Sequence, residues 1–335
     1  MRRLSFLLAM PLLAAVDGTV VNQTSGKPQA GATVTLYKLG QDGMESLVSV
    51  KSADGGKFVI DRVVSGPHLI QTAFDGVTYN HMLPPGRPTT GLSLTVYNAD
   101  SKPGDSRATT HMILLEPDGQ RLNVSESIIY KNEGNTTYND PTHGTLRVFL
   151  PEAAGGKVRV MCTAPQGMPI ERAAEKTTAG TYKIDFPIKP GETRFDVTYA
   201  IPMAGDGSFS SKVLHTGGPV RVVAPQGVTL ESEALALLGQ EPNSQASVFE
   251  LKNKTFTIAV RGTGALQGAS QEAGEEEGQG IQKVKPFLYD RFYPVLGISF
   301  FVLALGFALL YRKRVAEVEE AQPEPPRKDK KEKRR

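Results

Sequence analysis

The stretch 181–202, TYKIDFPIKPGETRFDVTYAIP, decides the fold class. Tyr182, Ile184 and Phe186 alternate with Lys183 and Asp185, and Phe195, Val197 and Tyr199 alternate with Asp196 and Thr198. A period of two marks a strand with one buried face. Between the two runs stand Lys189, Pro190, Gly191 and Glu192, a tight-turn composition expected to join them as a hairpin. The same alternation recurs outward along the chain. Ala32, Val34 and Leu36 alternate with Thr33, Thr35 and Tyr37, and Phe58 and Ile60 follow an Asp54-Gly55-Gly56 turn. Leu146, Val148 and Leu150 form another run, as do Val158 and Val160. Turn clusters separate the runs at roughly ten-residue intervals, which suits sandwiches rather than βαβ units. A short helix or turn is expected around residues 231–238. The fold class expected is mainly β: tandem β-sandwich units, Ig-like or carbohydrate-binding-like, followed by one C-terminal transmembrane helix.

Composition agrees. The 34 Gly and 23 Pro of 335 residues suit a turn-rich chain. Hydrophobic residues at 39% and charged residues at 22% are ordinary globular usage, which argues against wholesale disorder. The net charge of +3 owes much to the last nine residues, RKDKKEKRR, so the body is not expected to bind nucleic acid. The single cysteine, Cys162, excludes a disulfide framework, a CxxC redox pair and a cysteine-based zinc cluster. In its run, Cys162 reads as a small buried hydrophobe. Trp is absent, which weighs against a strong sugar-stacking site.

Two segments address the chain to a membrane. Residues 1–15, MRRLSFLLAMPLLAA, have a basic start, an apolar stretch and small residues at the end, the pattern of a secretory signal peptide. Residues 292–311, FYPVLGISFFVLALGFALLY, carry no charge, and at about 1.5 Å per residue they match the ~30 Å hydrocarbon core. Tyr293 and Tyr311 stand at the two ends, where interfacial aromatics belong. Ten Lys/Arg follow the span in residues 312–335, against Lys283, Lys285 and Arg291 in the twenty residues before it. The positive-inside rule then expects a cytoplasmic tail and an extracytoplasmic body, with membrane lipid as one partner of the basic tail. Residues 267–291 begin as a Gly- and Glu-rich tether, read as a flexible acidic linker.

Residues 16–91 carry Gly18 and Val20, then Gly26-Lys27-Pro28, Gly31-Ala32 and Val34, then Asp54, Gly56 and Phe58, then Gly66 and Ile70. This order resembles the carboxypeptidase regulatory-like domain, a small sandwich grouped with carbohydrate-binding-like folds, with His68 in place of the usual Tyr after the Gly66 corner. Residues 92–203 contain TTHMILLEP, SIIYKNEGN and GTLRVFLP, and resemble the β-rich region that follows such a domain in bacterial envelope proteins of acidobacterial type. Residues 204–266 are read as a third β-rich unit. There VRVVAPQGVTLE (220–231) echoes VRVMCTAPQGMPIE (158–171), through either duplication or chance likeness of two turns. The plan of signal, sandwiches, span and basic tail is also similar to the β-sandwich subunit of the endoplasmic-reticulum membrane insertase and to nodal modulators. Four Asn-x-Ser/Thr triplets, at Asn22, Asn123, Asn135 and Asn253, would be glycan acceptors in that setting.

Catalytic signatures are missing. His68, His81, His111, His143 and His215 are widely spaced, and no HxxE or HExxH occurs. Each histidine is read as a surface or satisfied strand residue. Residues 205–209, GDGSF, lack the nucleophile-elbow frame, and neither a P-loop nor a dinucleotide fingerprint is present. Asp100, Asp105, Asp118, Asn135, Asn139 and Asp140 lie in polar loops, where calcium ligation and ordinary turn chemistry are both open. No catalytic residue, cofactor or metal is assigned. The function expected is non-enzymatic binding or scaffolding in the cell envelope, with envelope protein partners. The alternative is a glycan-binding module, with Tyr79, Tyr97 and Tyr138 as exposed aromatics that could stack on sugar faces. The localisation expected is the cytoplasmic membrane, single-pass.

Overall fold

The computed structural model describes residues 16–40, 43–203 and 207–266. The signal peptide, the acidic linker, the apolar span and the basic tail lie outside the described residues. Among the described residues no helix is long and apolar enough to cross a membrane. Strands dominate, joined by two single 3-10 turns, Asp54–Gly56 and Glu152–Ala154.

The first body is built from two four-stranded sheets. In one, Val16–Asn22 pairs with Lys27–Pro28, antiparallel with Lys57–Ile60 and parallel with Leu92–Val96. In the other, the order is Gly43–Lys51, Thr33–Gly40, His68–Phe74, Val77–Leu83. Val16, Val20, Phe58, Ile60, Leu94 and Val96 of the first sheet meet Ala32, Val34, Leu36 and Ile70 of the second in one apolar core. The period-two reading places these residues correctly: Phe58 is buried and its neighbour Lys57 exposed. Gly18 is required by the parallel pairing, since a Cβ there would stand 2.1 Å from the Leu92 carbonyl oxygen. Gly56 has φ +71°, and a Cβ would meet the Val20 carbonyl oxygen at 2.4 Å. The core of this body therefore continues beyond residue 91, to Leu94 and Val96.

The second body centres on an eight-stranded sheet. Its order is Ile170–Arg172, Arg159–Thr163, Gly191–Pro202, Arg121–Asn132, Ser106–Pro117, Val220–Ala224, Ser247–Leu251, Leu235–Gln240. Two three-stranded sheets pack against it. One holds Leu146–Phe149, Thr181–Ile184 and Ala174–Thr178, and the other Ser208–Lys212, Thr255–Gly262 and Val228–Glu231. Phe195, Ile113, Leu146, Ile184, Phe209 and Ile258 belong to one cluster that joins all three sheets. Residues on both sides of position 204 thus share a sheet and a core.

One local expectation is corrected, and of the helix or turn expected at 231–238 the turn is what forms. The strands flanking Lys189-Pro190-Gly191-Glu192 do not pair as a hairpin: Thr181–Ile184 pairs within a small sheet, and Gly191–Pro202 within the large one. Pro187 and Pro190 offer no N–H to a ladder, and Phe186 and Ile188 are buried as the chain crosses between the two layers. Residues 231–238 hold no helix. A turn leads into the edge strand Leu235–Gln240, which pairs with Ser247–Leu251 and leaves Leu237 and Leu238 exposed.

The two bodies belong to one compact unit and are joined by named bonds. Ala99–Asp100 forms a parallel ribbon with Thr137–Tyr138. The Tyr79 hydroxyl donates to the Tyr97 carbonyl at 3.1 Å and shares a 2.9 Å hydrogen bond with the Thr137 hydroxyl. Thr24 Oγ1 donates to the Asn135 carbonyl, and Asn22 Nδ2 to Asn98 Oδ1 at 2.7 Å. Asn22, the first of the four triplet asparagines, is therefore buried and engaged.

Candidate functional site

The alternation along Arg121–Asn132 buries Leu122, Val124, Glu126, Ile128 and Tyr130 on one face, and so places a carboxylate in the core. A bulge after Ala108 on the neighbouring strand brings His111 to the same layer, and Tyr199 follows Phe195 and Val197 in phase. Burying an unpaired carboxylate would be costly, so this one is fully partnered. Glu126 Oε2 lies 3.0 Å from His111 Nε2, and Tyr199 donates its hydroxyl proton to Glu126 Oε1 at 2.9 Å. His215 Nε2 lies 2.9 Å from His111 Nδ1. With the carboxylate ionised and both imidazoles neutral, Glu126 accepts from His111, and His111 Nδ1 accepts from His215 Nε2–H. The chain ends at His215, whose Nδ1 is enclosed by protein and whose ring interacts with the Thr216 backbone. Burial, then the charge of His111 and that of Lys254, bring the His215 pKa down to about 4. Burial and the Glu126 charge push the Tyr199 phenol well up.

His215 opens onto a groove. A hollow of about 430 Å³ is lined by Ser106, Tyr130, Tyr138, His143, Arg147 and His215, among others. A second, of about 410 Å³, is lined by Thr142, Thr177, Thr178 and Thr181, and shares His143, Arg147 and Leu214 with the first. Each has the volume of a small-molecule site. Ser106 is buried, and its hydroxyl has no partner among the described residues. Burial raises the Tyr130 phenol to about 12. Burial and then the Asp140 charge raise the Tyr138 phenol. The acidic groups of the wall are spent internally. Asp140 accepts from the backbone N–H groups of Thr142 and His143 and faces His143 Nδ1 at 3.0 Å, and Glu133 pairs with Arg107 and Lys131. Lys183 Nζ donates to the carbonyls of Pro141 and Thr142 at 3.1 Å, which ties down the loop that forms the rim. Arg147, on the exposed face of Leu146–Phe149, has no ion-pair partner among the described residues.

The three tyrosines read from the sequence part company. Tyr79 and Tyr97 line one cleft, of about 280 Å³, with Lys189, and their ring centroids stand 6.0 Å apart. Tyr79 is buried, so it is not the exposed stacking face expected. It serves the joint between the bodies, with Lys189 Nζ 4.9 Å above its ring and bonded to the Thr78 carbonyl. Burial brings that ammonium down to about 8. Tyr97 is half-buried. Tyr138, half-buried, belongs instead to the groove of the second body.

Of the His111–His215–Glu126–Tyr199 network, the sequence reading named His111 and His215 only as separate surface or satisfied strand residues and Tyr199 only as part of an alternating run; the structure buries all four and joins them. His111 and His215 are 104 positions apart, and spacing alone cannot bring them together. The available signal was Glu126, a carboxylate in phase with buried apolar neighbours. Cys162 is fully buried, and desolvation raises its thiol to about 12. The loop acids mostly cap turns: Asp118 accepts from the N–H groups of Gln120 and Arg121, and Asp100 from that of Lys102. Among the described residues no group of three or more His, Cys, Asp or Glu is placed to hold a metal ion. No family model matches the chain, and no curated protein matches it.

Proposed function

We propose that the protein is a non-enzymatic binding protein of the cell envelope, anchored by residues 292–311, with its β body outside the cytoplasmic membrane and its basic tail inside. The groove of the second body is its ligand site. One observation carries the reading: two hollows of small-molecule size that share His143, Arg147 and Leu214 lie side by side on the second body. The rigid joint at Tyr79 and Thr137 supports a scaffolding role, because it holds the first body in place beside the second.

The test has two arms on the full chain. A reporter active only outside the cytoplasm should work when fused after Pro286 and stay silent after Arg314; the reverse would overturn the topology. A photo-crosslinker at Tyr138 should capture an envelope component in intact cells, while the same group at Lys57 should not. Equal capture at both positions, or none at Tyr138, would remove the groove as the binding surface.

A further inference from the structure

We infer that the groove takes an acidic glycan, with hydroxyl groups seated in its two hollows and a carboxylate at Arg147; this rests on the binding reading above. The lining argues for the ligand class. The Tyr138 hydroxyl on one side, and those of Thr142 and Thr178 on the other, can donate and accept, as a polyol requires, while Thr177, whose proton goes to the Thr181 carbonyl, can still accept. Arg147 stands in the wall common to both hollows, and its guanidinium matches the two oxygens of a carboxylate. Arg107 and Lys183, the neighbouring cations, already hold Glu133 and Glu175. Asp140, the acid in the lining, is held by two backbone N–H groups and faces the His143 ring, which offset part of its charge. Half-buried Tyr138 supplies an aromatic face in a chain without Trp. A phosphate or a neutral sugar would each use only part of this set.

The test measures binding of trigalacturonate, maltotriose and inorganic phosphate to the detergent-solubilised full chain by calorimetry. Trigalacturonate should bind, more weakly as salt is raised, and at least about tenfold more tightly than either other probe. Arg147→Gln should cost about tenfold for trigalacturonate and nothing for maltotriose, with an unchanged thermal midpoint, because Arg147 is exposed. Thr178→Val should weaken trigalacturonate but leave its salt dependence in place. Equal binding of maltotriose, insensitive to Arg147→Gln, would overturn the acidic assignment and leave the groove a binding site. Phosphate binding that is lost in Arg147→Gln, without trigalacturonate binding, would overturn the glycan assignment in the same limited way. No binding of any probe would overturn the inference outright, and the crosslinking at Tyr138 would then decide the broader reading separately.

Discussion

The two bodies solve the same packing problem with different interiors. The first has an apolar core from Val16 to Val96 and also buries the polar side chains of Asn22, Ser52, His68 and Thr72, but among the described residues it buries no carboxylate. The second body is larger and buries Glu126, His111, Tyr199 and His215 beside Phe195 and Tyr130. An apolar core achieves stability most simply, and a buried ionisable network is rarely more stable than apolar residues of the same shape. The difference teaches where to look for function: on the proposed reading the first body is framework, and the second carries a buried ionisable network beside a groove.

The largest effect should come from breaking that interior. Glu126→Ala leaves the His111 ring and the Tyr199 hydroxyl without their acceptor and should cost about 3–5 kcal/mol in denaturant unfolding. Replacing the network together, with His111→Leu, Glu126→Leu and Tyr199→Phe, should cost much less than the sum of the single changes, because it makes the second core resemble the first. A comparable loss is expected in the first body from Phe58→Ala, about 3–5 kcal/mol, against about 0.5 kcal/mol or less for exposed Lys57→Ala. Equal effects at 57 and 58 would show the register to be wrong.

Acid should separate the bodies next. His215 is held near 4 in the folded chain, against about 6.5 when unfolded. Between these values the unfolded chain takes up a proton that the folded chain refuses. Stability from this group is therefore fully present above pH 6.5 and falls as the pH drops toward 4, by on the order of 2–3 kcal/mol. His215→Gln, whose amide can still donate to His111, should flatten that slope while the first body keeps its own profile. A slope unchanged by the substitution would remove His215 as its source. The smallest effect is at the joint. Tyr79→Phe removes hydrogen bonds to Tyr97 and Thr137 and should cost about 1 kcal/mol, with faster amide exchange around Thr137.

Much of this architecture can be read from the alternation of residues. The core faces around Val34, Phe58, Val148 and Phe195 follow from a period of two, because one buried face leaves that trace in any strand. Pairing is harder to read, because a strand and its turn do not declare which sheet receives them. The two Ala-Pro-Gln-Gly segments make the point. After the first, Ile170–Arg172 returns to pair with Arg159–Thr163; after the second, Val228–Glu231 leaves the sheet to join Thr255–Gly262. The αL residue is Gln166 in the first turn and Gly227 in the second. Of the groove, Tyr138 alone was legible. Ser106 and His215 come together through a parallel pairing of Ser106–Pro117 with Val220–Ala224, and Arg147 joins them from the small sheet of Leu146–Phe149, long-range contacts with no local sequence signature.

The most direct test of the contrast between framework and functional body is amide hydrogen exchange of the full chain with and without trigalacturonate. The account predicts added protection in residues 101–107, 138–147, 177–181 and 214–216, and none in residues 16–96. Protection centred on the cleft between Tyr97 and Lys189, or on the sheets of the first body, would contradict it.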